Sequence, residues 1–318
     1  MSRLRITDDR RKTLHLAGPA KRIVSLVPSD TFNLFYLGAG ERLIGRTRYC
    51  VEPAAEVASI QEVGGTKDAD VDAIVALAPD IVIANQEENS QPDIEKLEAA
   101  GLVVLVSFPK RVAEGLSHLG RLSKVLGFDA DPIAGARAKK AVGECYRLLR
   151  EAEAARASRR TLRAFLPIWA DPLMTANRDA FLSDALDLAG GVNVFADRER
   201  RYPLAADLGL AATFPGHRTQ GKDTRYPRVT LDEVRAQAPE IVLLPDEPHP
   251  FSEADAQRFR DLDIPAAKHD GVVFCDGKDT MWYGARAILG LSRLSALIDA
   301  VRARLDAAAD KGAPSAAD

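Results

Sequence analysis

The 318-residue chain contains only three cysteines, two tryptophans and three methionines, and it carries no strong excess of either charge. Cys50, Cys145 and Cys275 are far apart and odd in number, which excludes a disulfide framework and the paired spacing of a zinc knuckle. We interpret all three as buried thiols. The 43 basic and 46 acidic residues give a net charge of −3, so the chain lacks the positive field that a nucleic-acid backbone requires.

Long apolar runs are also absent, because none approaches the roughly 20 residues of a membrane span. No apolar segment of the signal-peptide type follows the charged N-terminus, which predicts a cytoplasmic protein, or a periplasmic one if the start is misassigned or export is unusual. The five histidines show neither His-x-x-x-His nor His-x-Glu spacing. We also find no Ser-His-Asp set and no glycine-rich phosphate loop, so we expect a protein that is not an enzyme and requires no metal or cofactor.

An internal repeat is the most informative feature that is present. Residues 71–83 (VDAIVALAPDIVI) match residues 231–243 (LDEVRAQAPEIVL) at a fixed offset of 160. Each copy predicts an amphipathic helix that ends before Pro79 or Pro239, followed by a buried β-branched strand. The register continues past the strands and aligns Glu87 with Glu247. Since ligands of open parallel sheets bind beyond the carboxyl ends of the strands, we expect both loops to face a ligand cleft.

Strand and helix patterns alternate in both halves of the chain, which predicts an α/β fold of two Rossmann-like parallel-sheet lobes with a cleft between them. A long Ala-, Glu-, Arg- and Leu-rich stretch begins at Pro132 and predicts one connecting backbone helix about 40 Å long. The expected domains are an N-terminal lobe over 1–130, the helix over 131–157, a C-terminal lobe over 158–306 and a disordered tail over 307–318.

Several motifs in combination resemble those of a known family: SLVPS at 25–29, VGG at 63–65, LAGGVNVF at 188–195, both Ala-Pro-acidic-Ile-Val units and the long central helix. The chain is similar to the class III, helical-backbone substrate-binding proteins, whose members deliver cobalamin, haem and ferric siderophores to ABC importers. The motifs GGTK, NQEEN, WADPLM, RYP, EPHPF and WYGAR place it nearest the cobalamin-binding and metal-receptor group. The resemblance implies a monomer that captures a metal-containing macrocycle or chelate, with cobalamin favoured and haem or a ferric siderophore as the alternative.

The candidate ligand-binding residues follow predicted strand ends or belong to the motifs of the resemblance. They are Tyr49, Lys67, Glu87, Glu88, Asn89, Trp169, Met174, Asn177, Arg225, Glu247, Phe251, Trp282, Tyr283 and Arg286. Aromatic rings could stack on a flat ligand or pack in the core, and the acidic pair could contact the ligand or be solvated. The basic residues could pair with ligand phosphate or carboxylate groups, or with Glu87 and Glu247 across the closed cleft. His249 is a conceivable axial ligand of cobalt.

Three regions depart from the family pattern or have a simpler explanation. Gln61 stands where the family has a first permease-docking glutamate, and Asp232 or Glu233 where it has the second, so an ABC permease partner is in doubt. The segment 198–227 exceeds a simple crossover and is interpreted as a flexible lid or a disordered loop. Ser29 or Asp30 is expected to cap a helix. The rival functions are an enzyme or chaperone acting on a corrinoid or metal chelate, and an interaction protein that has lost its ligand.

Overall fold

The computed structural model describes residues 4–312, without the side chains of the last two, as two compact units. Unit 1 comprises the chain up to Leu149 together with Trp282–Leu289. Unit 2 comprises Arg150–Met281 and the described chain from Gly290 to Gly312. Each unit contains its own four-stranded parallel sheet with helices, so the chain is an α/β protein of two Rossmann-like units.

Unit 1 begins with an antiparallel hairpin and continues as a parallel sheet. The hairpin strands are β1 (Leu4–Thr7) and β2 (Thr13–Leu16), and the sheet strands are β3 (Ile23–Ser25), β4 (Leu43–Arg46), β5 (Ile81–Asn85) and β6 (Val104–Ser107), in the order β4-β3-β5-β6. The helices are α1 (Pro28–Tyr36), α2 (Ala54–Val57), α3 (Val71–Ala76), α4 (Gln91–Ala99) and α5 (Val112–Val125), with 3-10 turns at Gly40–Arg42 and Phe128–Ala130. All five residues of β5 are buried, because this strand is central and covered on both faces.

The predicted backbone helix over 131–157 corresponds to α6, Pro132–Ala157. The boundary between the two units falls within this helix, after Leu149. Asp131 caps its start, because the carboxylate oxygen accepts the backbone N–H groups of Ile133 and Ala134 at 2.9 Å. A continuous run of helix formers, with its only proline at the first helical position, explains why this helix is long.

Unit 2 contains a second parallel sheet and a short antiparallel hairpin. The strands are β7 (Leu162–Phe165), β8 (Pro167–Ala170), β9 (Leu173–Thr175), β10 (Gly191–Asn193), β11 (Ile241–Pro245) and β12 (Val272–Cys275), with sheet order β10-β7-β11-β12 and hairpin β8-β9. The helices are α7 (Phe181–Ala189), α8 (Leu204–Asp207), α9 (Gly216–Thr219), α10 (Leu231–Gln237), α11 (Glu253–Arg260), α12 (Pro265–Lys268), α13 (Lys278–Met281) and α14 (Ala285–Gly312). Phe165 packs edge-to-face on Phe195 and Phe259 in the core.

The internal repeat corresponds to α3-β5 in unit 1 and α10-β11 in unit 2. Both helices end in the same way, with Ala78 at φ 45° and Ala238 at φ 44° immediately before Pro79 and Pro239. Proline disfavours the right-handed helical conformation of the preceding residue, and here that residue is left-handed although it is not glycine. The repeat therefore extends to an uncommon backbone conformation.

The structure differs from the sequence predictions in four places. Trp282–Leu289 belongs to unit 1 and not to the C-terminal lobe, because its side chains bond to unit 1 residues described below. Helix α14 continues through Gly312, so the tail expected from 307 begins inside a helix, and 313–318 lie outside the described residues. Helix α1 is preceded by Val27 as its N-cap, with Pro28 in the first turn, so neither Ser29 nor Asp30 caps it. The segment 198–227 contains α8 and α9, which corrects the expectation of a disordered loop.

Candidate ligand-binding surfaces

An aromatic cluster lies beyond the carboxyl ends of two neighbouring strands of unit 2. Trp169 lies on β8, which directly follows β7, and His249 follows β11. The Trp169 and His249 ring centroids are 5.3 Å apart, and Phe251 stands edge-on to His249 at 4.7 Å. Phe251 is buried, whereas Trp169 is 43% exposed. The cluster therefore combines the buried ring of Phe251 with the accessible indole of Trp169.

The Trp169 ring is fixed as well as exposed. Its Nε1–H donates to the carbonyl oxygen of Asp171 at 3.0 Å, which satisfies the one polar atom of the indole. Met174, half-buried on β9, pairs with Trp169 across the hairpin. An indole whose polar edge is satisfied presents a flat apolar face, which suits stacking on a planar ligand.

His249 is partly buried, and its Nε2 lies 3.9 Å from the Asp255 carboxylate. Hydrogen bonds from Ser252 lower the pKa of Asp255 below its ordinary value, and electrostatic interactions with His249 and Arg258 act in the same direction. Within residues 4–312 no three His, Cys, Asp or Glu side chains cluster as a metal site. The axial-ligand role of His249 stays a prediction.

Glu247 follows β11 and is partly buried. Its carboxylate lies 4.0 Å from the Lys278 ammonium group, which is also 4.0 Å from Asp246 and 3.8 Å from Asp276. One lysine is thus surrounded by three carboxylates at the strand ends of unit 2. The pairing of Glu247 with Lys278 limits its freedom to contact a ligand.

In unit 1, Tyr49 follows β4 and is 51% exposed. The Arg48 guanidinium lies 5.1 Å over the Tyr49 ring and also pairs with Asp68 at 2.8 Å. Lys67 donates from its ammonium group to the carbonyl oxygen of Glu87, which joins the 64–67 turn to the loop after β5. These residues form the accessible part of the unit 1 strand ends.

Glu87 and Glu88 both donate their backbone N–H groups to Oδ1 of Asn85, at 2.7 and 3.2 Å. Desolvation raises the pKa of Glu88 above its ordinary value, the adjacent Glu87 raises it further, and Lys67 opposes both. The Glu88 side chain is nevertheless accessible, so solvent screens this effect. Glu88 therefore remains available to a ligand as an acceptor.

Asn89 is buried, with 5% exposure, and its side-chain amide is occupied at both ends. Its Oδ1 accepts the Asn85 backbone N–H at 2.8 Å, and its Nδ2 donates to the Leu26 and Thr66 carbonyl oxygens at 3.1 and 3.0 Å. One amide thus ties the ends of β3 and β5 to the 64–67 turn. The geometry favours a positioning role over ligand contact.

Asn177 and Arg225 of unit 2 are likewise engaged internally. Asn177 is buried, accepts the Asp179 backbone N–H at 3.0 Å and donates to the Thr224 carbonyl oxygen at 3.3 Å. Arg225 binds Asp223 through two nitrogens at 2.9 and 2.6 Å. Burial alone would raise the pKa of Asp223, but the hydrogen bonds and charge of Arg225 lower it. Both residues organise the 198–227 segment.

Trp282, Tyr283 and Arg286 are 6%, 4% and 9% exposed. The Tyr283 hydroxyl donates to Asp30 Oδ2 at 2.6 Å, and Arg286 Nε donates to the Glu52 carboxylate at 3.2 Å. Burial raises the pKa of Tyr283 well above its ordinary value, and the Asp30 charge adds to this. These side chains attach the 282–289 segment to unit 1.

Sequence reasoning missed the buried polar network around Asp30. Its Oδ1 lies 2.9 Å from His118 Nε2 and accepts from Asn33 Nδ2 at 3.2 Å, and Ser107 lies 2.8 Å from the Tyr283 hydroxyl. Asp30 is fully buried and His118 is 1% exposed. An acid in the first turn of the helix that follows a buried strand, and a histidine on the apolar face of α5, are the signals that could have indicated it.

Two candidate permease-docking acids can now be distinguished. Glu233 accepts from Thr230 in a capping box and pairs with Arg198 at 3.4 Å. The Asp232 side chain is 84% exposed and pairs with Arg235 at 3.0 Å. Of the two, Asp232 is the accessible carboxylate, while Gln61 on unit 1 is an exposed neutral residue.

Two α/β units with aromatic or polar loops beyond the carboxyl ends of parallel strands, and a long helix that crosses the unit boundary, have the fold of the class III substrate-binding proteins. The chain belongs to the periplasmic binding protein family, whose model matches residues 23–277. This confirms the family predicted from the motifs.

Among curated proteins, the chain is similar to the vitamin B12-binding protein of Vibrio cholerae serotype O1, at 24% identity over 254 residues, covering 80% of each chain. The vitamin B12-binding protein of Yersinia pestis is 28% identical over 187 residues, covering 59% of this chain and 64% of that protein. Among solved structures, the periplasmic vitamin B12-binding protein of Vibrio cholerae has a TM-score of 0.69 at 20% identity, with 89% of this chain and 98% of that one covered. The periplasmic haem-binding protein of Roseiflexus sp. RS-1 has a TM-score of 0.69 at 18% identity, with 89% and 99% covered. The structural matches confirm the fold.

Proposed function

We propose that this protein binds a corrinoid, with cobalamin favoured and haem as the alternative, without chemically changing it. The observation that carries the proposal is the exposed, hydrogen-bonded Trp169 indole, backed by the His249 and Phe251 rings beyond the ends of β7 and β11. Relatives named for vitamin B12 and for haem support the same ligand class. The predicted cleft between lobes stays a prediction.

Stacking supplies affinity and the polar loops supply specificity in this proposal. An indole face that leaves water for a macrocycle contributes roughly 1–3 kcal/mol through burial and ring contact. The accessible carboxylate of Glu88 and the lysine of the 64–67 turn can meet amide or acidic groups at the ligand periphery. Asn85 and Asn89 hold those loops in place for that contact.

Titration with cyanocobalamin or haemin, followed by visible absorbance, tests the proposal. We expect saturable binding of one of them, and W169A should weaken it about tenfold or more, whereas W169F should retain most of it. The matched control is I133A, which removes a side chain 70% exposed on α6. If W169A and I133A bind the ligand with equal affinity, Trp169 is not the stacking surface.

The alternatives give different results in the same preparation. Haem ligation by His249 predicts a changed Soret band that H249A abolishes while cobalamin binding is kept. Recovery of a chemically altered corrinoid by mass spectrometry would select the enzyme hypothesis. Absence of thermal stabilisation by corrinoids, haemin and ferric siderophores would favour the interaction protein.

We also propose weak coupling to a permease and a reducing location. The accessible docking carboxylate on unit 2 is Asp232, and unit 1 offers the neutral Gln61, so Q61E should strengthen and D232A weaken binding to a permease that uses arginine pairs.

Cys50, Cys145 and Cys275 are all free thiols, which fits a reducing compartment such as the cytoplasm. Recovery of the protein in an osmotic-shock fraction would overturn the location. Within the part of the chain that the structure describes, no helix meets the length and hydropathy of a membrane span.

A further inference from the structure

Hydrogen bonds connect the beginning of the segment 198–227 to its end and to Asp207 within it. Asp207 is buried, and its carboxylate accepts the Arg201 and Arg228 backbone N–H groups at 2.5 and 3.2 Å. The Arg200 backbone N–H donates to the Thr224 carbonyl oxygen at 2.8 Å. The Tyr202 hydroxyl donates to the Asp223 carbonyl oxygen at 2.7 Å. These bonds give the segment a defined shape.

That shape lines an open cavity of about 340 Å³, which lies near the lower end of the range for small-molecule pockets. The cavity is formed entirely within unit 2. Guanidinium and hydroxyl groups dominate its lining, which comprises Asp197, Arg198, Glu199, Arg200, Arg201, Tyr202, Thr213, Thr219 and Thr224.

Two of the three lining arginines form no close ion pair among residues 4–312. Arg200 interacts electrostatically with Asp223, but its Nε is buried without a hydrogen-bond partner and its guanidinium lies 5.4 Å over the Tyr202 ring. Arg201 is exposed and pairs with no carboxylate of the described chain. Arg198 differs, because it binds Asp207 at 3.3 Å and Glu233 at 3.4 Å. A buried donor without a partner is uncommon in folded proteins and marks a place where a ligand atom or water belongs.

The local charge is positive although the whole chain is acidic. Residues 197–225 contain six Arg and Lys residues against four Asp and Glu residues. Of the two lining acids, Asp197 pairs with Arg178, and Glu199 is exposed. The hydroxyl groups of Thr213 and Thr224 make no hydrogen bond to other described residues and can donate to a bound acceptor.

We propose that this cavity is an oxyanion site that binds the phosphate or carboxylate group of a small molecule. Two guanidinium groups and two or more hydroxyls supply more donors than a carboxylate can use, so phosphate matches the site better. Planar guanidinium groups bind such oxygens in pairs, and Arg200 Nε gains an acceptor on binding. The site is separate from the Trp169 cluster and does not rest on corrinoid binding.

Calorimetric titration with inorganic phosphate, in the absence of any corrinoid, tests the site. Saturable binding is expected at constant ionic strength maintained with chloride, and R200Q/R201Q should weaken it at least tenfold. Removal of one hydroxyl in T224V should weaken it a few-fold with little change of shape. The matched control is R218Q, because Arg218 stacks on Phe214 at 4.7 Å outside the cavity lining and should leave affinity unchanged.

Acetate titrated in the same way distinguishes the two sources of the oxyanion. Tighter binding of acetate than of phosphate would support the site and assign it to carboxylates. Linear, non-saturating heat from both anions would overturn the proposal, as would equal phosphate affinity of the wild type and R200Q/R201Q. If that double variant unfolds, T224V decides, because unchanged phosphate affinity in T224V overturns the cavity assignment. Failure of cobalamin binding in the same protein would leave this result intact.

Discussion

Unit 1 and unit 2 have the same sheet architecture but use their strand ends differently. Unit 1 directs Asn85, Asn89 and Asp30 into hydrogen bonds with its own backbone and buried side chains. Tyr49 of unit 1 and Trp169 of unit 2 are both exposed, but Tyr49 lies under the Arg48 guanidinium, whereas Trp169 is backed by the His249 and Phe251 rings. A buried polar network specifies shape, whereas accessible rings and charges are available to a ligand. Asn89 and His249 are matched by the offset of 160, yet the Asn89 amide bonds to backbone groups whereas the His249 ring contacts Trp169 and Phe251, so matched positions in a repeat need not share a role.

The largest expected effect comes from breaking the unit 1 network at Asp30. D30A removes the acceptor of the Tyr283 hydroxyl, Asn33 and His118, so buried polar groups lose their partner. We expect a loss of about 3–5 kcal/mol in the free energy of unfolding, measured by urea denaturation. Hydrogen exchange should place the loss in unit 1. The control E153A removes an exposed carboxylate from α6, and a similar loss in that variant would contradict the network's role.

A second pair of variants separates positioning from contact. N89A should cost about 1–3 kcal/mol in stability, since it leaves the Asn85 N–H and two carbonyl groups without their partner. W169A should change stability by less than about 1 kcal/mol, because the indole is 43% exposed, while it lowers ligand affinity. Thermal denaturation and ligand titration of both variants check this. If W169A lowers the stability more than N89A does, the proposed difference between the two units is wrong.

The alanines before Pro79 and Pro239 have a left-handed backbone conformation, so we expect their replacement by glycine to have a smaller effect on stability, equal in both units. A78G and A238G should each stabilise the protein by about 0.5–1 kcal/mol, because glycine adopts positive φ without a Cβ clash. Chemical denaturation measures the change. The controls A76G and A236G place glycine at exposed positions within α3 and α10 and should destabilise by a similar amount. A gain in one unit only would show that the repeat is not energetically matched.

The last expected effect is confined to alkaline pH and concerns the thiols. Cys275 is only partly buried, which corrects the expectation of three buried thiols. Desolvation nevertheless raises the pKa of Cys275 to about 12, and the nearby Asp246, Asp279 and Asp276 carboxylates add to the shift. Burial likewise raises the pKa of Cys50 in unit 1. Because the raised value favours the neutral thiol in the folded state, its stabilising effect is complete below the ordinary value of 9.0 and is lost as pH rises toward 12.

Alkylation with iodoacetamide at pH 8 should therefore be slow for both thiols in the native protein and fast in urea. C275S should show a shallower loss of stability between pH 9 and 11 than the wild type. Rapid native labelling of Cys275 alone would indicate that the strand ends of unit 2 open more readily than those of unit 1.

Periodicity in the sequence predicted the repeat, the long helix and most strands, because these depend on local patterns of apolar residues and proline. The network of Asp30, His118 and Tyr283 was not predicted, since the hydroxyl and carboxylate it joins are 253 residues apart. The candidate residues chosen by resemblance include both exposed and buried side chains, because burial also depends on contacts between residues far apart in the sequence. Sequence placed Trp169 and Asn89 alike beyond strand ends, but only packing decides that the indole is exposed and the amide is buried.

The return of Trp282–Leu289 to unit 1 has a consequence for synthesis of the chain. Tyr283 donates to Asp30 and Arg286 to Glu52, and both residues are translated long after the rest of unit 1. A nascent chain that emerges N-terminus first can form the first sheet but must keep the Asp30 site open until unit 2 has almost entirely left the ribosome. Unit 1 is therefore synthesised first, but it can complete its fold only after residues 282–289 have been translated.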